Sequence, residues 1–157
     1  MKITLLTVGK TDIKWVREGL EMYSGRISHY APFSVTEIPE LKNVSALSVE
    51  QIKKKEGELI LRHVRQQDEV VLLDERGQRR TSQAFASWLQ DRFSRGGRDL
   101  VFVVGGAYGF CTEVYDRADA LISLSEMTFS HQMVRTIFAE QLYRAFTIIR
   151  GEPYHHQ

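Results

Sequence analysis

The sequence predicts an α/β fold in which a mainly parallel β-sheet is flanked by helices. Short apolar runs alternate with longer stretches whose apolar residues recur every three or four positions, as on one face of a helix. Residues 100–104 are apolar throughout, which is typical of a strand buried on both faces of a parallel sheet. The length of 157 residues suits a single domain over 1–157, and no internal repeat divides it.

The first part of the chain predicts two strands separated by a helix. Residues 2–8 predict a strand rather than a secretion signal, because their apolar stretch is short and no small-residue cleavage site follows it. A helix comes next, with Thr11 or Asp12 as its N-cap. Its apolar face consists of Ile13, Val16, Leu20, Tyr23 and Ile27. A second strand is predicted over 33–38, followed by a loop over 39–46.

The middle of the chain predicts a capped helix and a buried strand. Ser48 and Gln51 have the spacing of a capping box, which predicts where the second helix begins. Gly57 lowers the helix propensity of this segment for no reason visible in the sequence. The third strand is predicted over 69–73, and residues 74–80 are predicted to form a polar loop.

The remaining elements continue the alternation of strands and helices. In order, they are a helix that starts at Thr81 or Ser82 and ends at Gly96, the strand 100–104, a short helix capped by Thr112, a strand over 120–124, a loop over 125–129 and a helix over 131–149.

Composition excludes several classes of protein. No apolar run approaches the roughly 20 residues of a membrane span, so we expect a cytoplasmic protein without a membrane partner. The single cysteine, Cys111, excludes an internal disulfide and a thiolate zinc cluster, and no other arrangement predicts a metal site. The net charge of +1 does not indicate a nucleic-acid binder. The chain contains two basic clusters, which are residues 53–55 and the group Arg76, Arg79 and Arg80. A solvated surface explains both clusters, although they are also compatible with binding a phosphate backbone.

A glycine-rich turn follows the buried strand directly. Residues 105–109 read Gly-Gly-Ala-Tyr-Gly, which predicts a close approach of the backbone to a ligand at the carboxyl edge of the sheet. The turn is not the GxGxxG of a dinucleotide site, and it lacks the Lys and Ser/Thr of a P-loop. The ligand is therefore not identified by this turn alone.

Two further segments are candidates for function. Residues 124–132 join the last strand to the last helix and contain polar side chains, a methionine, an aromatic residue and a histidine. The structural alternative is a helix start with Ser130 as N-cap and His131 on the surface. The tail contains Tyr154, His155 and His156, and it is interpreted either as a frayed end or as a docked segment.

Taken together, several motifs resemble the ribosomal RNA large subunit methyltransferase H family, within the SPOUT superfamily. The matching segments cover essentially the whole chain: 1–10, 55–57, 72–74 with Gly77, 104–106 with Gly109, 123–125, 127–129 with His131, 141–145 and 153–155. The resemblance implies a deep trefoil knot in the C-terminal half of the α/β fold. It also implies a homodimer that uses S-adenosyl-L-methionine to methylate N3 of a pseudouridine in 23S ribosomal RNA, on the assembled ribosome.

The resemblance also implies which residues form the site. The cofactor-binding positions are Leu73, Gly105, Leu124, Ser125, Glu126, Met127, Thr128 and Phe129. The candidate catalytic residues are His131 and His155 as proton acceptors, Arg135 as a contact to an oxyanion or a phosphate, and Tyr154 as a stacking partner for the extruded base. The chain departs from the family pattern at Ser130, where relatives often have proline, and after His155, where they often have Lys or Arg.

Two alternatives stay open at the level of sequence. One is a methyltransferase of another RNA, such as tRNA, because acceptor choice depends on surface shape. The other is a ribosome-binding module that has the same fold but no catalytic activity, although the complete segment 124–129 and the complete tail favour an enzyme.

Overall fold

The computed structural model describes residues 1–156 and shows strands alternating with helices, as the sequence predicts. The strands are β1 (Ile3–Val8), β2 (Phe33–Ile38), β3 (Glu69–Arg79), β4 (Leu100–Val104) and β5 (Ala120–Ser123). The helices are α1 (Lys14–Ile27), α2 (Val49–Arg62), α3 (Ser82–Ser94), α4 (Thr112–Arg117) and α5 (Met133–Ile149), and one 3₁₀ turn spans Val44–Ala46.

The strands form one parallel sheet with the order β2-β1-β4-β3-β5. All residues of β4 are buried because this strand pairs on both edges and is covered on both faces. The α/β fold with a parallel sheet flanked by helices is therefore confirmed.

Alternate side chains of each strand enter two separate hydrophobic cores. On one face, Phe102 packs with Phe138 of α5 and Phe85 of α3. On the other face, Val103 belongs to a second core that contains Phe110 and Val114 of α4. The sheet is thus the middle of three layers, and its carboxyl edge remains open between them.

The helix caps confirm some sequence predictions and correct others. Ser48 and Gln51 form the predicted capping box, with N–H···O distances of 3.1 and 2.8 Å, and Thr81 caps α3. The predicted Thr11 or Asp12 cap of α1 is wrong: the N-cap is Ile13, without a side-chain bond. The predicted Thr112 cap of α4 is also wrong, since Cys111 occupies the N-cap position.

The contact between α2 and α4 explains Gly57. This glycine is buried, and a Cβ at its position would overlap Sγ of Cys111 and press on Val114. The low helix propensity at this position is the cost of a close approach between two packed elements.

The largest difference from the sequence-based prediction is the length of β3. The predicted loop 74–80 is wrong, because β3 continues to Arg79. Leu73 and Gln78 both pair with Ile122 of β5, and the register shifts between them. Gly77 lies against this strand, where a Cβ would be 2.5 Å from the carbonyl carbon of Ile122. The trefoil knot implied by the resemblance stays a prediction.

We expect Gly77→Ala to destabilise the protein by about 1–3 kcal/mol, because backbone atoms cannot move aside as a flexible side chain does. Urea unfolding monitored by circular dichroism measures this loss. Gly25→Ala is the matched control: Gly25 is an exposed position within α1 with no atom within 4 Å of an added Cβ, so alanine should stabilise by about 0.5–1 kcal/mol. Equal stability of Gly77→Ala and the wild type would contradict the close packing at Ile122.

Candidate active site at the carboxyl edge of the sheet

A cavity of about 510 Å³ opens at the carboxyl ends of β4 and β5, beside residues 73–76 of β3. Its walls come from these residues, from the segments that follow β4 and β5, and from Lys53 of α2, Tyr115 of α4 and Val134 of α5. It contains most of the residues that the resemblance assigned to a cofactor, which are Leu73, Gly105, Leu124, Ser125, Met127, Thr128 and Phe129, and it also contains His131. The parallel sheet brings these distant positions together because the carboxyl ends of its strands share one edge.

Tight packing holds the glycine turn at one wall of the cavity. Gly109 has φ +84°, and its N–H donates to the Gly106 carbonyl at 3.2 Å. A Cβ at Gly105 would be 3.0 Å from the Phe110 ring, and one at Gly106 would be 2.7 Å from the Glu56 carboxylate. A side chain at either position would press on these neighbours, so glycine leaves the backbone itself facing the cavity.

The loop after β5 forms the opposite wall. The Met127 N–H donates to Ser125 Oγ at 2.9 Å, and the Ser123 hydroxyl donates to the Ser125 carbonyl at 2.9 Å. The backbone N–H groups of Glu126, Thr128 and Phe129 have no hydrogen-bond partner within residues 1–156. The loop is therefore internally ordered and still offers donors to a ligand.

Two contacts tie this loop to the end of β3. The Thr128 hydroxyl donates to the Glu75 carboxylate at 3.3 Å. Glu126 forms an ion pair with Arg79, so its side chain is directed away from the cavity and does not line it. Of the predicted cofactor positions, Glu126 is therefore the one that does not line the cavity.

A third wall contains a tyrosine–carboxylate pair. The Tyr115 hydroxyl donates to Asp74, which also accepts the Arg76 backbone N–H at 2.8 Å. The Arg76 guanidinium lies over the Tyr115 ring, 5.0 Å from its centroid. Burial, followed by the hydrogen bond to Asp74, raises the pKa of Tyr115 to about 12. Tyr115 is therefore a neutral donor at physiological pH, and it fixes the Asp74 carboxylate in place.

Arg135 does not line the cavity, although the sequence predicts a contact with substrate. Its side chain is 0% exposed and donates to the carbonyls of Val8, Gly9 and His131 and to the Thr11 hydroxyl, at 2.8–2.9 Å. Glu37 lies 3.7 Å from its Nη1 atom. Burial lowers the pKa of Arg135, and the negative charge of Glu37 opposes this effect. The guanidinium therefore ties the end of β1 to the beginning of α5.

Helix α5 begins at a slightly different residue than predicted, and the contacts at its first turn position His131. The helix starts at Met133, with Gln132 at the N-cap position. The Gln132 side chain accepts the Asp12 N–H at 3.1 Å and donates to the Lys10 carbonyl at 2.9 Å. Ser130 accepts the Met133 N–H at 3.0 Å. Ser130 thus caps the first turn of α5, and His131 is placed in the cavity wall.

The tail is docked, but it does not reach the cavity of its own chain. The Tyr154 hydroxyl donates to Glu140 at 2.8 Å, and its ring packs against Tyr143. His155 Nδ1 lies 2.9 Å from Arg144, whereas its Nε2 atom is buried and has no partner among the described residues. Burial chiefly raises the pKa of Tyr154. Tyr154 and His155 therefore lie along α5, apart from His131; Gln157 is outside the described residues.

Comparison with known proteins identifies the family. A family model described as "Predicted SPOUT methyltransferase" matches residues 1–155. This chain belongs to the SPOUT methyltransferase family. It is similar over 157 residues, all of both chains, to proteins named ribosomal RNA large subunit methyltransferase H from Christiangramia forsetii (54% identical), Parabacteroides distasonis (52%) and Flavobacterium johnsoniae (50%).

The cavity fits the methyl donor of SPOUT methyltransferases, which is S-adenosyl-L-methionine. Its volume of about 510 Å³ lies in the range of small-molecule sites. The free N–H groups of the loop suit the acceptors of an adenine and a ribose, and the apolar Leu73, Leu124 and Phe129 suit the face of a base. Within the described residues, no cluster of three or more His, Cys, Asp or Glu side chains is placed to hold a metal ion, and no helix is long and apolar enough to cross a membrane.

Several residues that line this candidate site of the SPOUT methyltransferase are not predicted from the sequence. Asp74 and Glu75 were assigned to a loop, although their position directly after a buried strand is a signal that could have found them. Tyr115 follows no strand and reaches the cavity from α4, so only the packing of that helix reveals it.

We expect Arg135→Met to lower the free energy of unfolding by about 2–4 kcal/mol, because it leaves buried carbonyls without donors. Urea unfolding measures the loss. Arg17→Met, at an exposed position of α1, is the control and should change stability by less than about 0.5 kcal/mol. Unchanged stability of Arg135→Met together with lost methyl transfer would restore the predicted contact with substrate.

Glu56 supplies a prediction about pH. Its Oε1 atom is buried without a partner behind Gly106, and burial, followed by repulsion from Glu40, raises its pKa above the ordinary 4.5. A carboxyl whose pKa is raised by folding stabilises the protein below its unfolded pKa, and this stabilisation is lost as pH rises through the folded pKa. We therefore expect Glu56→Gln to gain stability over the wild type as pH rises above about 4.5, the ordinary pKa of a glutamate.

Urea unfolding at several pH values measures this difference. Glu58→Gln, at an exposed position two residues along α2, should show no such pH-dependent gain. A difference between Glu56→Gln and the wild type that stays constant with pH would contradict the assigned cause.

Proposed function

We propose that this SPOUT methyltransferase transfers the methyl group of S-adenosyl-L-methionine to N3 of a pseudouridine in 23S ribosomal RNA, and that it does so in the cytoplasm, as a homodimer acting on the assembled ribosome. The observation that carries the proposal is the cavity at the carboxyl edge of the sheet, which joins Leu73, the glycine turn and the loop 124–129. The names of full-length relatives at 50–54% identity support the ribosomal RNA as substrate.

The proposed reaction depends mainly on placing the methyl donor correctly relative to the acceptor nitrogen. S-adenosyl-L-methionine supplies an electrophilic methyl group on a positively charged sulfur. The backbone N–H groups of Thr128 and Phe129 would hold the adenosine part, and the rigid turn over 105–109 would keep its position. Fixing a donor in this way lowers the barrier because the acceptor nitrogen then needs only the correct approach.

The ring N3–H must lose its proton, and the candidate acceptor in the cavity wall is His131. A neutral imidazole accepts a proton near pH 7. His155 is the second candidate, and its buried Nε2 atom has no partner within residues 1–156. The Asp74 carboxylate, held by Tyr115, adds a fixed acceptor that can orient the uracil ring.

A role for the tail requires a second copy of the chain. His155 contacts Arg144, which lies 13 residues along the chain from His131, or about 20 Å at the helical rise of 1.5 Å per residue. A second copy also suits the surface, because α1 exposes Trp15 and Met22 and α5 begins with the exposed Met133. Exposed apolar groups of this size favour an interface. In the proposed homodimer, each tail completes the cavity of the other copy.

Two measurements test the function. Calorimetry should detect binding of S-adenosyl-L-methionine to the purified protein, and absence of binding would overturn the proposal. Mass mapping of ribosomal RNA nucleosides, from cells with and without this protein, should show one methylated pseudouridine that depends on it. Loss of a methyl group from tRNA instead would identify another RNA as the substrate, and donor binding without any lost modification would indicate a non-catalytic module.

We expect deletion of 153–157 to lower the rate of methyl transfer about tenfold or more, because it removes the proposed stacking and proton-accepting groups. The affinity for S-adenosyl-L-methionine should change little, since the tail does not line the cavity of its own chain. His155→Ala should reproduce most of the loss. His156→Ala, at the exposed neighbouring position, is the matched control and should retain activity. Full activity of the deletion variant would remove the tail from the proposed site.

A further inference from the structure

Tyr108 is an exposed aromatic residue at the mouth of the cavity. It lies in the glycine turn, lines the cavity and has 54% of its surface exposed. Within residues 1–156 its ring makes no aromatic contact and its hydroxyl makes no hydrogen bond. Folding of the turn does not require this side chain, because the glycines around it carry the positive φ and the close contacts.

The turn presents Tyr108 on a rigid base. The Gly106–Gly109 bridge closes the turn, and the packing of Gly105 against Phe110 fixes it to the end of β4. A ring held in this way loses little conformational entropy when it stacks on a ligand. The position therefore favours a role in binding.

The surroundings of Tyr108 indicate the chemistry of its ligand. Met127 lines the same cavity and has 79% of its surface exposed, so two apolar groups flank the mouth. Lys53 and Arg76 contribute positive charge to the wall of the same cavity. An aromatic face beside cations is the arrangement that binds single-stranded RNA, in which bases stack on the ring and cations contact phosphates.

We propose that Tyr108 stacks on a nucleobase of the RNA that flanks the acceptor nucleotide, and that it thereby determines which RNA enters the cavity. The acceptor base must pass the mouth of the cavity to approach the donor. The nucleobase next to the acceptor then lies at the mouth, where it contacts the Tyr108 ring. Met127, which is exposed in the same cavity, adds an apolar contact to this flanking base. The proposal rests on the proposed function, because it takes the RNA as substrate.

Steady-state methyl transfer to large ribosomal subunits tests the proposal. Stacking of one base is worth about 1–3 kcal/mol, so Tyr108→Ala should raise KM for the subunits about 5- to 150-fold. Tyr108→Phe keeps the ring and should stay within about twofold of the wild type, because stacking uses the π-face rather than the hydroxyl. Val49→Ala, an exposed apolar position that does not line the cavity, is the control and should leave KM unchanged.

A second measurement separates RNA binding from donor binding and from misfolding. Calorimetry should give the same affinity for S-adenosyl-L-methionine in Tyr108→Ala and the wild type. In co-sedimentation with subunits, Tyr108→Ala should bind more weakly than the wild type, whereas Tyr108→Phe and Val49→Ala should bind as the wild type does. An unchanged KM, or a donor affinity lowered as much as the subunit affinity, would overturn the inference while leaving the proposed function intact. A wild-type protein that neither binds nor methylates subunits would overturn both.

Discussion

The packing of Gly77 against the backbone of Ile122 is the constraint on which the site depends. A Cβ at Gly77 would be 2.5 Å from a backbone carbon, so no side chain can separate the two segments. Because they are fixed in contact, the end of β3 lies beside the loop that follows β5. The hydrogen bond from Thr128 to Glu75 and the ion pair between Arg79 and Glu126 then connect positions about 50 residues apart in the chain. Backbone packing thus fixes the relative position of the cavity walls, and the side-chain contacts stabilise that arrangement further.

Buried and exposed charges have different tasks in this SPOUT methyltransferase. Arg135 is buried and every contact that it makes is internal, which suits a group that would be costly to leave unpaired. Its bonds to the end of β1 and to the beginning of α5 hold His131 in the cavity wall. Arg76 and Lys53 remain at the cavity, where a phosphate can reach them. The Arg135 guanidinium therefore contacts only the protein itself, and the cations that line the cavity lie on other elements.

The balance of charge bears on how so small a protein would select its substrate. A net charge of +1 provides little of the sequence-independent attraction to phosphate that general RNA binders use. Selectivity in the proposed function then depends on shape, on a few cations at one mouth and on the rigidly held Tyr108. In the proposed homodimer, the docked tail, whose His155 Nε2 atom has no partner within residues 1–156, would give the second copy a defined surface to complete. Assembly and substrate recognition would thus both depend on local features rather than on overall charge.

The sequence by itself determined the class of fold and most element positions, because the strands are short apolar runs and the helices have regular apolar faces. The capping box at Ser48 and the strand β2 needed no tertiary information, since each depends on neighbours within a few residues. The resemblance also indicated the loop 124–129 and the glycine turn. Only the tertiary structure decided the rest. The extension of β3 depends on β5, which lies more than 40 residues later in the chain. Gly57 is explained by Cys111, Arg135 is buried by β1, and the tail is held by α5. In each case the deciding partner is distant in sequence, and local pattern carries no signal of a contact that exists only when the chain is folded.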